Sequence, residues 1–485
     1  MAEYNLRTLL AHGAVIALTA GAVEAADVAT LKDAARTSID RQRAAMTEMS
    51  DAIWAYAETA LNETQSSALL ADYAEQQGFD VRRGVAGMPT AFIASYGEGR
   101  PIIGFLGEFD ALPRLSQNPV PSQQPRVEGG NGHGCGHNLF GVASLAAATA
   151  IKELLDSGEL TGTVRFYGTP AEEAIGGKTY MARAGLFDDL DVALSWHPSY
   201  ETRVDSAGSQ AMVETMVEFS GISAHAAHDP WNGRSALDGL ELFTHALNLW
   251  REHVRPTVRI HYAYVDGGGA PNVVPATASA SVWVRDNEMP SVVALYERMQ
   301  EMADGAARAA DVDVNVRLVT GTYNLLQNDE LARIVQANLE SLGPIEFTAA
   351  ENEFALELQQ AMGVAPVGLN GRAEPLDLDA TEIDGGSTDT ADVSWIVPTI
   401  EFGVATAPTD IPWHSWAVVA SSGMSIGHRG MVHASKALAG SAIDLFVKPA
   451  HIEAAKAHHA EDLAGQSYRP YLPDGPPPLP QAATD

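Results

Sequence analysis

Cysteine and basic residues are both scarce in this sequence of 485 residues. The single cysteine, Cys135, cannot form a disulfide within the chain, and one thiol cannot build a zinc ribbon or finger. Lys and Arg total 30 against 62 Asp and Glu, which gives a formal net charge of −32. Because this charge repels phosphate groups and anionic headgroups, we expect no nucleic-acid partner and no attraction to a membrane surface.

Long apolar segments are also lacking, since outside the N-terminal region no stretch approaches the roughly 18 residues of a membrane-spanning helix. Residues 6–26 combine Arg7, a short apolar run and small residues before Ala26, a pattern typical of a secretory signal. We therefore predict that residues 1–25 are a signal peptide, that the protein is periplasmic or secreted, and that its mature form has no membrane segment. If these residues are an ordinary helix instead, a cytoplasmic location follows.

The length exceeds what one hydrophobic core usually organises, so two domains are expected. Short apolar runs alternate with helical stretches in the first region, which predicts an α/β sheet with crossover helices. The predicted strands are 102–106, 164–167 and 192–196, and the predicted helices are 139–155 and 178–184. Functional side chains of such a sheet follow the carboxyl ends of its strands. The candidates in those positions are Glu108, Asp110, Glu172, Glu173 and His197.

The pattern changes after residue 207 to a strand, a helix, two strands, a helix and a last strand. That order is typical of a small α+β open-faced sandwich, which we interpret as a domain inserted into the first one. The predicted divisions are a first domain in two parts, 26–206 and 323–447, an inserted domain, 207–322, and a C-terminal extension, 448–485. The proline-rich end, from Tyr468 onward, is expected to be an extended arm or a disordered tail outside the core.

The densest motif lies at residues 131–138, where His133, Cys135 and His137 alternate with glycines. Glycines let the backbone turn tightly, and residues two apart in an extended segment point to the same side. Cys135 and His137 can therefore reach one metal ion. Alone, a His-x-Cys sequence is usually an ordinary loop.

Three further signals have the right chemistry for a metal centre. Glu172 and Glu173 are adjacent carboxylates after a strand, so one can bind a metal while the other accepts a proton from water. His197 ends an apolar strand, and His414 lies between two tryptophans. Each signal alone has a structural explanation, such as a helix start or simple packing. Together they supply enough ligands for two metal ions with open positions.

These residues resemble the dinuclear metal-dependent aminoacylase and carboxypeptidase hydrolases, over residues 39–447. Within that family they are similar to the amidohydrolase branch of p-aminobenzoyl-glutamate hydrolases and auxin-conjugate hydrolases. The matching motifs are His-x-Cys-Gly-His-Asn at 133–138, Pro-Ala-Glu-Glu at 170–173, and the later His197 and His414. The segment 386–395 resembles the p-aminobenzoyl-glutamate version. Other branches have His-x-Asp where this chain has Glu108-Phe109-Asp110. Asp110 is therefore expected to contact metal ligands without being a ligand itself.

The resemblance implies a di-metal peptidase-like catalytic domain and a lid and dimerisation domain. It also implies two divalent ions, Zn or Mn, bound by Cys135, His137, Glu173, His197 and His414. Glu172 would be the general base and later proton donor.

In the inserted domain, the resemblance implies that His225 polarises the scissile carbonyl, in the active site of a partner subunit or after domain closure, and that Asn272 contacts substrate. From its charge and position alone, Arg285 is a candidate for binding a substrate carboxylate.

The sequence therefore predicts a metal-dependent amidohydrolase that cleaves the amide of N-acyl or aroyl amino acids and forms a homodimer through the inserted domain. One alternative is a thiol hydrolase with Cys135 as nucleophile and His133 or His137 as base. Another is an exported protein that binds a metal or an amide ligand without turnover.

Overall fold

The fold was analysed in a computed structural model, which describes residues 7–204, 208–380, 383 and 386–480. The helices are α1 (Arg7–Tyr56), α2 (Thr64–Gln76), α3 (His137–Asp156), α4 (Gly177–Arg183), α5 (Ala236–Trp250), α6 (Met289–Ala310), α7 (Asp329–Leu342), α8 (Ala349–Met362), α9 (Thr390–Ser394), α10 (Trp416–Ser422), α11 (Ser425–Val447) and α12 (Pro449–Leu463). The strands are β1 (Asp80–Arg83), β2 (Phe92–Glu98), β3 (Ile102–Gly107), β4 (Gly162–Gly168), β5 (Val192–Ser199), β6 (Arg203–Val204), β7 (Ala211–Ser220), β8 (Arg259–Asp266), β9 (Thr277–Asp286), β10 (Asp313–Thr322) and β11 (Thr399–Ala405).

Seven strands form one mixed sheet in the order β1-β2-β4-β3-β5-β11-β6. The central neighbours β4, β3, β5 and β11 are parallel, whereas β1, β2 and β6 pair antiparallel with their neighbours. The central strands are almost continuously buried because helices cover both faces, as parallel sheets require. Residues of α1, α3, α7 and α11 form the core on one face, and α4 with neighbouring segments covers the other. The predicted α/β class is confirmed.

Helix α3 is the central helix of the larger core. Among the described residues it is the one helix long and apolar enough to cross a membrane, and 83% of its apolar window is buried inside the molecule. Our expectation that no such stretch exists outside the N-terminal region was therefore too strict. The helix is apolar on most sides because it packs against the sheet, α1 and α11.

Four strands form a second, antiparallel sheet in the order β10-β7-β9-β8. Strand β9 alternates between buried and less buried residues, because one face of the sheet packs against α5 and α6. The elements follow one another in the predicted order of an open-faced sandwich. The predicted first residue of this domain, 207, lies outside the described residues, and the domain boundaries stay predictions.

The C-terminal stretch is an extended arm after α12, but the expectation that it lies outside the core was wrong. Tyr468 and Leu472 pack against a buried cluster beside the large sheet. The Tyr468 hydroxyl donates a hydrogen bond to Asp392 Oδ1 at 2.7 Å, and Arg183 donates to the carbonyl of Pro473. Prolines prevent ladder pairing, yet the side chains between them remain free to bury. At the other terminus, the predicted signal 1–25 begins outside the described residues and stays a prediction.

Candidate active site and metal centre

The predicted site residues come from elements that end at one edge of the large sheet. Glu108 and Asp110 follow β3, Glu172 and Glu173 follow β4, and His197 lies near the end of β5. These strands are parallel, so their carboxyl ends meet there. The remaining predicted ligands reach the same edge from loops. Cys135 and His137 lie where α3 begins, and His414 lies two residues before α10.

The five predicted metal ligands are brought together in two overlapping sets. Ligand atoms of Cys135, His137 and His197 lie within 4.8 Å of one another, and so do those of Cys135, Glu173 and His414. Cys135 Sγ is 3.4 Å from His197 Nε2, and His414 Nε2 is 3.4 Å from Glu173 Oε1. Because Cys135 belongs to both sets, the arrangement fits two adjacent ions that share a thiolate neighbour.

Several donor atoms of this cluster are buried without a hydrogen bond. Within the described part of the chain, Glu108 Oε2, His137 Nε2 and Glu173 Oε1 have no hydrogen-bond partner. Burial of an unsatisfied polar atom costs on the order of 1–3 kcal/mol, and most buried polar atoms in folded proteins are paired. Thiol, imidazole and carboxylate donors that converge on one point are suited to zinc or manganese. The residues therefore fit a divalent metal centre.

Asp110 makes hydrogen bonds with two of the predicted metal ligands, His137 and Glu173. Its Oδ1 is 2.9 Å from His137 Nδ1, and its Oδ2 accepts a hydrogen bond from the backbone N–H of Glu173 at 2.9 Å. Burial opposes ionisation of Asp110, but the hydrogen bond with His137 holds its pKa below the ordinary value. A carboxylate on Nδ1 leaves Nε2 of His137 to face a metal, the usual arrangement for a histidine ligand. This placement agrees with the supporting role expected for Asp110.

Two of the three histidine ligands, His137 and His197, differ in charge. Burial lowers the pKa of His137, but the carboxylates of Glu108 and Asp110 outweigh it and raise that pKa to about 9. For His197, burial and the neighbouring His137 lower the pKa to about 4. His197 is therefore neutral and ready to bind a cation at neutral pH, whereas an ion at His137 must displace a proton.

Glu172 faces the cavity beside the ligand sets. A carboxylate oxygen of Glu172 lies within 4.8 Å of ligand atoms of Glu108 and His137, whereas Glu173 lies in the set with Cys135. Glu172 and Glu173 belong to different sets because adjacent residues point in different directions. Burial raises the pKa of Glu172 well above its ordinary value, and the carboxylates of Glu108 and Glu173 raise it further. A carboxyl group with a raised pKa is suited to accept and return a proton near neutral pH.

The cavity at this edge has a volume of about 650 Å³ and lies between the two sheets. The large sheet contributes the cluster residues, and the four-stranded sheet contributes Met212, Trp283 and Arg285. Arg285 stacks over the Trp283 ring at 4.9 Å and donates a hydrogen bond to Ser387 Oγ at 3.4 Å. Arg285, the candidate for binding a substrate carboxylate, thus lies in the wall of the cavity that four of the five predicted metal ligands line.

His225 and Asn272 do not line this cavity in the described chain. Both residues are at the surface, and they lie close to one another, because the Asn272 carbonyl accepts a hydrogen bond from the Ala226 N–H at 3.0 Å. His225 Nδ1 accepts hydrogen bonds from the backbone N–H groups of Ala227 and His228. Their predicted roles therefore need a partner subunit or a closing movement.

A buried lysine was missed by the sequence reasoning. Lys178 Nζ lies 2.5 Å from Glu108 Oε1 and 2.5 Å from Asp389 Oδ1, and its side chain is 0% exposed. The sequence signal was weak, since Lys178 lies in the first turn of a short helix, where a lysine is normally solvated. Only the fold shows that it neutralises carboxylates from two other segments.

Cys135 is poorly placed to act as a thiol nucleophile. Burial and the carboxylates of Glu173, Glu172 and Glu108 raise its pKa well above the ordinary value, which disfavours the reactive thiolate. His133, one of its two candidate bases, has Nε2 at 3.0 Å from the backbone carbonyl of Ile53. The thiol hydrolase alternative is not supported.

Comparisons with known proteins agree with this geometry. Residues 104–383 match Peptidase family M20/M25/M40. The chain is 37% identical over 467 residues to a subunit of the p-aminobenzoyl-glutamate hydrolase of Escherichia coli (strain K12), covering 91% of this chain and 97% of the relative. It is 30% identical over 448 residues to the Xaa-Arg dipeptidase of Mus musculus, covering 89% and 93%.

Solved structures share the fold at lower identity. A dinuclear metal binding peptidase of the M20 family from Bacillus subtilis has a TM-score of 0.58 at 17% identity, covering 84% of this chain and 99% of that one. An aminobenzoyl-glutamate utilization protein from Klebsiella pneumoniae has a TM-score of 0.58 at 18% identity, covering 84% and 98%. The chain therefore belongs to Peptidase family M20/M25/M40, and it is a hydrolase that acts on amide bonds.

Proposed function

We propose that this protein hydrolyses the amide between an acyl or aroyl group and an amino acid, with p-aminobenzoyl-glutamate as the representative substrate. The observation that carries the proposal is one cavity lined by four metal-binding side chains, the carboxyl group of Glu172 and the guanidinium of Arg285, with His137 buried against the same ligand set. The similarity to the p-aminobenzoyl-glutamate hydrolase of Escherichia coli over 91% of the chain supports the same substrate class.

We propose Cys135, His137, Glu173, His197 and His414 as the ligands of two divalent ions, Zn²⁺ or Mn²⁺. Such ions act as Lewis acids that polarise a carbonyl and lower the pKa of water. Asp110 holds His137 in the orientation that this requires. The sulfur and imidazole donors suit zinc, and the carboxylate suits manganese as well.

Glu172 is the proposed general base. It accepts a proton from the attacking water and later delivers it to the amine nitrogen as the carbon–nitrogen bond breaks, so the products are a carboxylic acid and an amine. Its buried position beside Glu108 favours the protonated form between these two transfers.

Other side chains that line the cavity suit an aromatic amide with a carboxylate. Trp283, Tyr200 and Trp413 line it and offer apolar faces to an aroyl ring. Arg285 offers a positive charge to the carboxylate of the amino acid, and at short range this charge overrides the negative field of the whole protein.

We further propose a homodimer formed through the four-stranded sheet. Strand β8 is an edge strand, and its Val265 is 61% exposed. Near His225, Trp231 is 73% and Ile222 is 57% exposed. Exposed edge strands and apolar side chains favour association. A second subunit would cover them and bring a His225 towards the cavity. Export of the protein, supported by the pattern of residues 1–25, also stays a proposal.

The test is metal analysis followed by an assay of amine release from p-aminobenzoyl-glutamate and other acyl amino acids. We expect about two ions per chain and p-aminobenzoate release that stops on chelation. In the Arg285→Met variant, KM should rise about 10-fold or more for a substrate with a free carboxylate, but little for its carboxamide. Arg317→Met, on β10 and away from the cavity wall, is the matched control. A metal-loaded protein that cleaves no acyl amino acid would overturn the proposal.

A further inference from the structure

Glu108 is a buried carboxylate with one satisfied oxygen and one unsatisfied oxygen. It follows β3 directly, and its side chain is 1% exposed. Oε1 accepts a hydrogen bond from Lys178 Nζ at 2.5 Å. Oε2 makes no hydrogen bond to any residue that the structure describes. Because buried carboxylate oxygens are normally hydrogen-bonded, the unpaired Oε2 is a candidate ligand atom for a metal ion.

The nearest polar atom to consider is Nε2 of His137. The two atoms are 3.1 Å apart, yet neither makes a hydrogen bond in the described structure, so they are not directed at one another. His137 Nδ1 is already engaged by Asp110. Two ligand atoms that each lie ~2.1 Å from one ion are themselves ~3.4 Å apart in tetrahedral geometry and ~3.0 Å apart in octahedral geometry. The separation and the lack of a direct bond both suit an ion shared by Glu108 and His137.

Lys178 also orients Glu108 in this cluster. Its ammonium pairs with Glu108 and with Asp389, each at 2.5 Å. Lys178 binds Oε1 of Glu108, and this fixes Oε2 on the side of His137.

We propose that Glu108 is an additional metal ligand, which binds through Oε2 the same ion as His137 Nε2, and that Lys178 is a positioning residue for Glu108. This inference rests on the metal centre of the proposed function and adds a ligand to it. It also gives a role to the glutamate that follows β3, where this chain has Glu-x-Asp instead of His-x-Asp.

The test is Zn²⁺ and Mn²⁺ binding to Glu108→Gln, measured by competition with a chromophoric chelator. Lys178 would hold the amide oxygen and turn the amide NH₂ towards His137, where it repels an ion. We expect one of the two ions to bind at least about 10-fold more weakly than in wild type. Asp389→Asn is the matched control, because it also removes one carboxylate from Lys178, and both of its ions should keep wild-type affinity.

The outcomes separate this inference from the proposed function. If the wild-type protein binds no metal, the proposed function fails. If wild type and Glu108→Gln bind two ions equally well, or Asp389→Asn loses the same ion, only the Glu108 assignment fails. If Glu108→Gln does not fold, anomalous diffraction from metal-loaded wild-type crystals decides. An ion within about 2.4 Å of Oε2 supports the proposal, and one beyond about 3 Å overturns it.

Discussion

Two regions differ in the kind of group that they leave unsatisfied: the carboxyl-end edge of the seven-stranded sheet, and the surface of the domain that contains the four-stranded sheet. At the first edge, buried polar atoms such as His137 Nε2 and Glu173 Oε1 have no hydrogen-bond partner among the described residues. In the second, apolar side chains such as Trp231, between β7 and α5, and Val265, on the edge strand β8, are exposed to water. Each condition costs free energy, but a different kind of molecule relieves it.

The difference indicates what each region needs. A cluster of carboxylates, imidazoles and a thiol is completed by small cations. An exposed edge strand with apolar neighbours is completed by a protein surface, which provides area and backbone partners. His225 belongs to the second region and Glu172 to the first, so the proposed reaction needs both regions to be completed.

The largest expected effect comes from Glu172→Gln, which tests the first region. We expect kcat to fall by about 10²- to 10⁴-fold, because general base catalysis is lost, while both metal ions remain bound. Steady-state kinetics and metal analysis on the same sample measure this. Glu201→Gln is the control, since Glu201 lines the same cavity but pairs with Arg203. Turnover near the wild-type rate would remove Glu172 from the mechanism.

An intermediate effect is expected from mixed dimers, which test whether the second region completes the first. Glu172→Gln and His225→Ala should each be inactive alone. If His225 acts on the partner's cavity, a mixed dimer has one intact site. Random pairing of co-expressed chains should then restore about one quarter of wild-type activity.

Separately purified and differently tagged chains provide the control, because mixing them without exchange should restore nothing. If purified mixed dimers are as inactive as the parents, His225 acts within its own chain and domain closure replaces dimerisation as the explanation. If the protein is a monomer in solution at assay concentration, the dimer proposal is wrong.

The strand ends were predictable because their sequence signals are local. Apolar runs at 102–106, 164–167 and 192–196 end just before polar residues, and parallel strands bring such residues to one edge. The convergence of Cys135 with His414, from the far end of the chain, depended on the resemblance to a family, since no local pattern relates them.

Other features could not be predicted because they depend on tertiary contacts. Lys178 lies at the start of a short helix and looks solvated in the sequence, but Asp389, 211 positions away, folds against it. Tyr468 lies in a proline-rich segment that normally stays outside a core, yet it buries against Asp392. For His225 the motif was visible, but a single chain cannot show which subunit's cavity it reaches.

The smallest expected effect concerns Glu351, a buried carboxylate that has the partners Glu108 lacks. Its oxygens accept hydrogen bonds from Arg429 Nε at 2.8 Å and from the Thr348 hydroxyl at 2.8 Å, in a capping box at the start of α8. Burial opposes ionisation, but hydrogen bonds from Ser425, Thr348 and Arg429 lower the pKa of Glu351 to about 2. Glu351 is therefore the residue to compare with Glu108, because both of its carboxylate oxygens accept hydrogen bonds.

Glu351→Gln should lower the free energy of unfolding by about 1–2 kcal/mol at pH 7. A lowered folded-state pKa stabilises the protein above the unfolded pKa of about 4.3, and this stabilisation is lost as the pH falls towards 2. The difference from wild type in the free energy of urea unfolding should therefore shrink over that interval. In the Glu353→Gln control, at a more exposed position of the same helix, the free energy of unfolding should change little at any pH.

For Glu172, whose pKa is raised, the sign reverses, and Glu172→Gln should stabilise the metal-free protein at pH 7. If the metal-free Glu172→Gln variant has a lower free energy of unfolding than wild type, ionisation of Glu172 does not oppose folding in the way that ionisation of Glu351 favours it.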